Sequence, residues 1–117
     1  MATNASTPLQ RAYAAIRQKL KALAIAEDAI IRLIDEELID TGYGNLKLNE
    51  ISSERSDLML EQQTLDTTGT VTHAISQEDV ERLAQAVQAL QQRNVSAAAL
   101  QGIISEAVII ARTAAGG

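Results

Sequence analysis

PLQRAYAAIRQKLKALAIAEDAIIRLIDEELID, residues 8–40, holds no glycine and no proline after Pro8. Its apolar residues recur by threes and fours. Leu9, Tyr13, Ile16, Leu20, Leu23, Ile30 and Ile34 form a heptad-like seam that Glu27 interrupts. Ala15, Ala22, Ala26 and Ala29 form a second stripe beside it, and Ile31 and Leu38 widen the apolar face toward the C-terminal end. Thr7 and Pro8 supply a start signal: a hydroxyl that can cap, then a proline where its missing N–H costs nothing. The spacing predicts one helix from Pro8 to Asp40, with Gly42 as a left-handed stop and Tyr43-Gly44-Asn45 continuing the turn.

Length turns this helix into an architectural argument. At ~1.5 Å per residue it would span about 50 Å. A compact globule of this size has a radius of gyration near 13–14 Å and a diameter of roughly 35 Å. The helix must kink, lie in an elongated bundle, or project into another subunit; an elongated, dimerising bundle is the favoured expectation. The alternative is a monomeric four-helix domain with a bent first helix.

Charge along the stretch is segregated. Arg11, Arg17, Lys19 and Lys21 occupy the first half; Glu27, Asp28, Asp35, Glu36, Glu37 and Asp40, against Arg32 alone, occupy the second. A helix dipole prefers the opposite order. An antiparallel neighbour would set basic beside acidic. A second copy would supply that by symmetry, and the acidic second helix (Glu50, Glu54, Asp57, Glu61) would supply it within one chain.

Beyond this stretch, Leu48, Ile51, Leu58 and Leu65 keep helical spacing, with Arg55 and Gln62 on the same stripe. They predict a second helix from about Leu46 to Asp66. Thr67 to Ile75 is threonine-rich, contains Gly69, and reads as a linker, with room for a short extended piece. Ser76 is a plausible N-cap, followed by acids at Glu78, Asp79 and Glu81. Val80, Leu83, Val87 and Leu90 form a seam to Arg93, and Asn94 is a terminator. Ser96 can cap a last helix from about Ala97 to Ala114, with Leu100, Ile103, Ile104, Ala107, Val108 and Ala111 as its main face and Ile109 and Ile110 beside it. This helix is apolar nearly all round, carrying only Glu106 and Arg112. Such helices sit at the centre of a bundle or in an interface. The expected fold is all-α: an elongated antiparallel bundle of about four helices with a long first helix. Residues 1–7 are a flexible leader and 8–117 a single domain.

Composition narrows function. The chain has 117 residues, 46% of them apolar, but its only aromatics are Tyr13 and Tyr43. The core must be built from Leu, Ile, Val and Ala, which favours close helix packing. With 10 basic and 15 acidic side chains the net charge is −5, the wrong sign for nonspecific nucleic-acid binding. Residues 76–111 have helix-turn-helix spacing, yet the second helix offers only Gln101 and Arg112 to a duplex. No apolar run reaches a membrane span. The absence of cysteine and of a signal-peptide core suggests the cytosol, with export by a leader-independent route as the alternative.

Little here suggests catalysis. His73 is the single histidine, and there is no cysteine and no Glu-x-x-His spacing, so neither a metal site nor a cofactor is expected. Gly42 and Gly44 are too few and misplaced for a phosphate loop. Glu27 is either a buried functional carboxylate or the partner of a basic neighbour. Arg55 and Gln62 are either a polar layer that fixes register or exposed rim positions. The leading expectation is a non-enzymatic interaction or assembly protein, a homodimer or higher homo-oligomer that also binds a protein partner. Leu9, Tyr13, Ile16, Leu20, Leu23, Ile30, Ile34, Ile103, Ile109 and Ile110 are the candidate interface residues. The alternatives are a binder of an apolar small molecule or lipid, a membrane-active helical protein, and a small enzyme built on paired carboxylates.

Overall fold

A computed structural model describes residues 7–71, 74–92 and 97–112. They form four helices: α1 (Pro8–Asp35), α2 (Thr41–Thr68), α3 (Gln77–Gln91) and α4 (Ala97–Arg112). There is no strand among the described residues. The bundle is elongated, with extents of 50 × 30 × 20 Å and a Cα radius of gyration of 15.6 Å. Among the described helices, α1 is the common element. It packs against the other three and most extensively against α4, while α2 and α3 do not touch each other.

α1 begins as its sequence indicates. The Thr7 hydroxyl accepts from the Gln10 backbone N–H at 3.1 Å, and the Gln10 side chain accepts from the Thr7 N–H at 2.9 Å. This capping box satisfies two N-terminal donors at once.

The end of α1 departs from the sequence reading, which carried the helix to Asp40. The helix stops at Asp35, with Glu36 as C-cap. Glu37 takes a left-handed conformation, φ 57°. Its N–H donates to the Ile34 carbonyl at 3.0 Å, and the Leu38 N–H reaches back to Leu33 at 2.8 Å. This paired 5→2 and 6→1 pattern is a Schellman termination, built on a glutamate rather than on the glycine expected at 42. Asp40, read as the last helical residue, instead caps the next helix: its carboxylate accepts from the Gly42 N–H at 3.0 Å and the Tyr43 N–H at 3.3 Å. Gly42, Tyr43, Gly44 and Asn45 therefore lie in the first turns of α2, not in a turn between helices.

Gly44 has a packing role. It is buried, and a Cβ there would sit 2.5 Å from Ile34 Cδ1 and 2.6 Å from Ile34 Cγ1. The missing side chain lets α2 close tightly onto α1 next to the five-residue connection 36–40.

α2 is longer than the 46–66 expected. It runs through Thr67 and Thr68, whose hydroxyls donate to the carbonyls of Gln63 and Thr64. Gly69 ends it with φ 64°. α3 starts on Ser76, which accepts from Asp79 N–H at 3.1 Å, and ends at Gln91 rather than Arg93. The Arg11 guanidinium donates to the Ile75 carbonyl at 2.7 Å, tying the start of α3 to α1. Residues 1–6, His73, Arg93, Asn94, Ser96, the 113–114 end expected for α4 and the side chain of Leu100 lie outside the described residues.

Candidate interaction surface

α1 and α2 run antiparallel. Tyr13 donates a hydrogen bond to Asp66, Glu27 meets Arg55, and Ile34 meets Gly44. Glu27, which interrupts the α1 seam, thus meets Arg55, one of the two polar residues on the α2 stripe. Glu27 and Arg55 form a half-exposed ion pair at 3.0 Å. Such a pair contributes about 0.2–1 kcal/mol, enough to favour this register but not to hold the fold. The charge segregation of α1 is partly answered within the chain: Lys19 lies in the field of Glu61, and Glu27 in that of Arg55. Arg112, at the end of α4, reaches Glu54 at 2.8 Å and Glu50 at 3.6 Å, which joins α4 to the acidic flank of α2.

Most of the candidate interface residues are occupied inside this single chain. Ile16, Leu23, Ile30, Ile103 and Ile110 are buried in the core. Leu9, Tyr13, Leu20 and Ile34 are half-buried and pack against it. Only Ile109 faces solvent, 66% exposed. Tyr13, Glu27 and Ile34 of the α1 seam meet α2. The alanine stripe lies roughly 100° further round the helix and is buried throughout. α4 serves as a core helix, with Ile103, Ile104, Ala107, Val108, Ile110 and Ala111 all buried.

Two features were missed by the sequence reading. Lys19 is only 5% exposed. Burial lowers the pKa of its ammonium from the ordinary value, and the Glu61 carboxylate acts in the opposite direction. The signal was present: Ala15, Lys19, Ala22, Ala26 and Ala29 step by four, three, four and three, so the lysine stands inside the alanine stripe.

The second feature is the outer face of α2. Its core seam is Ile51, Leu58 and Leu65, and one flank carries Glu50, Glu54, Asp57 and Glu61. Away from both, Asn45, Asn49, Ser52, Ser56, Leu60, Gln63 and Thr67 follow helical spacing down the helix, all exposed and all uncharged. Leu60 stands out from it at 62% exposure, and Met59 stands at its edge at 52%. A shallow groove of about 470 Å³ runs beside Ser52, Ser56, Met59 and Leu60, with Arg55 and Asp66 on its inner edge. The clue lay in Met59-Leu60, two apolar residues off the seam of the helix. No family model, no curated protein and no solved structure matches the chain. Among the described residues no group of acids and histidines is arranged to hold a metal ion, and no helix is long and apolar enough to cross a membrane.

Proposed function

We propose that this chain is a helical interaction protein that works by docking other helices rather than by turning over a substrate, and that it self-associates and binds a protein partner. The supporting observation is the outer face of α2. The chain carries 25 charged side chains, 10 basic and 15 acidic, yet the seven positions of this strip from Asn45 to Thr67 carry none and expose Leu60, with Met59 at the edge of the strip. Solvated surfaces usually intersperse charge. Depletion of charge around exposed methionine and leucine is the pattern of a contact surface.

Light scattering combined with solution X-ray scattering tests self-association. A mass above the 12.5 kDa monomer, growing with concentration, is expected. A compact monomer at every concentration overturns that part of the reading. A photo-crosslinker placed at Leu60 tests the partner. It should give one discrete adduct that the same group at Glu81, on exposed α3 surface, does not give; equal labelling from both positions refutes a docking role for α2.

A further inference from the structure

α1 presents three faces. One meets α2, and a second is the buried alanine stripe. The third is uncovered: Arg17, Lys21, Ala24, Asp28, Ile31 and Asp35 are all exposed and step by four, three, four, three and four. No described helix covers them, although Arg17 borders a shallow groove with Gln77 and Val80 of α3.

The four charges on this stripe differ from those elsewhere on α1. Glu27 pairs with Arg55 and Arg32 with Glu36. Arg17, Lys21, Asp28 and Asp35 have no ion pair or side-chain hydrogen bond among the described residues. Their order is two cations, a small residue, then two anions. That order is complementary to its own reverse.

We propose that two copies of this chain pair antiparallel along the exposed stripe of α1, with the two-fold axis near residue 25 and Ala24 at the crossing. At ~1.5 Å rise per residue, that axis places Lys21 within about 3 Å along the helix of Asp28 of the second copy, and Arg17 equally close to Asp35. Each contact occurs twice by symmetry. Ala24 permits close approach of the two backbones, and the half-exposed Ile31 gains cover. A parallel pairing would stack like charges, so the charge order selects the antiparallel dimer. The contacts are solvent-accessible, which makes the dimer weak and sensitive to salt. This assignment rests on the self-association proposed above and leaves the uncharged face of α2 to the other partner.

Sedimentation equilibrium of the full chain, at low and high ionic strength, tests it with Lys21→Glu, Asp28→Lys and their equimolar mixture. Both substitutions are at exposed positions, and circular dichroism verifies that the fold is retained. The wild type should dimerise, and more weakly as salt rises. Each single variant should dimerise at least about tenfold more weakly, because like charges then face each other at both contacts. Mixing the two variants should restore association, because opposite charges face each other again. A wild-type dimer unchanged by either substitution, or variants that fail to associate when mixed, overturns this surface but leaves self-association standing. A wild type that stays monomeric at all concentrations overturns both.

Discussion

Replacing Gly44 with alanine should destabilise the protein, against the intrinsic preference of a helix. In an unconstrained helix interior, alanine is more favourable than glycine by about 0.8–1 kcal/mol. Here the added Cβ would lie 2.5 and 2.6 Å from Ile34 Cδ1 and Cγ1, and 3.3 Å from Ile39 Cδ1. Carbon atoms pack at about 3.5–4.0 Å, so Ile34 must retreat by roughly 1 Å. Rotation can move Cδ1, but Cγ1 sits on the branched carbon and moves only with the backbone or a change of χ1. Overpacking of this kind costs about 1–3 kcal/mol. The net expectation for Gly44→Ala is a loss of about 1–2 kcal/mol, or several degrees in Tm for a domain of this size. Urea denaturation, read by circular dichroism, measures it. The decisive arm is the double-mutant cycle with Ile34→Ala, which removes the obstructing atoms. In that background Gly44→Ala should stabilise by close to its propensity value, giving a coupling energy near 2 kcal/mol. A gain in stability from Gly44→Ala in the wild-type background would refute the reasoning, because it would mean that α1 and α2 do not close on each other there.

Two further substitutions test the connection and the core. Glu37→Gly should stabilise by about 1 kcal/mol, because it removes the side chain from a left-handed residue that the two Schellman hydrogen bonds hold in place; a loss measured in the same denaturation experiment would show that the Glu37 side chain contributes more than its backbone costs. Lys19→Met should leave stability unchanged or raise it near neutral pH, since burial penalises the ammonium. The pH dependence has a definite sign. The folded-state value of Lys19 lies below the unfolded value near 10.5, so the unfolded chain binds more protons in the window just under 10.5. Wild-type stability therefore gains from Lys19 as pH rises through that window. The difference between Lys19→Met and wild type should narrow accordingly, and a difference that stays constant across it would dispose of the burial argument.

The helices were legible where side-chain spacing and capping agreed. Thr7-Pro8 and Ser76 are starts whose chemistry is local, and the structure uses both. The α1–α2 boundary was not legible, because the apolar spacing of α1 continues through Leu38 and because Gly42 and Gly44 resemble a stop. What decides it is the left-handed turn at an unexceptional glutamate, where the Glu37 and Leu38 N–H groups close α1, and the carboxylate of Asp40, which opens α2 by accepting from Gly42 and Tyr43. The meaning of the α1 seam was also out of reach. An apolar stripe has the same composition whether a neighbouring helix or a second molecule covers it, and only the placement of α2, α3 and α4 shows that this chain covers its own. Lys19 escaped because its length and charge suggested solvent, although the alanines on either side of it mark the stripe as buried.

That every described helix packs on α1 has a consequence for biosynthesis. The element that organises the fold is made before the three helices that pack on it, and α4, which packs on it most extensively, is made after α2 and α3. Seventy-seven residues separate the ends of α1 and α4, from 35 to 112. At about 5–20 residues per second, α1 waits roughly 4–15 s for its cover to be made. During that interval its leucines and isoleucines have only α2, then α3, as shelter. A nascent chain of this kind offers a bare amphipathic helix to chaperones, and to other copies of itself emerging from the same message.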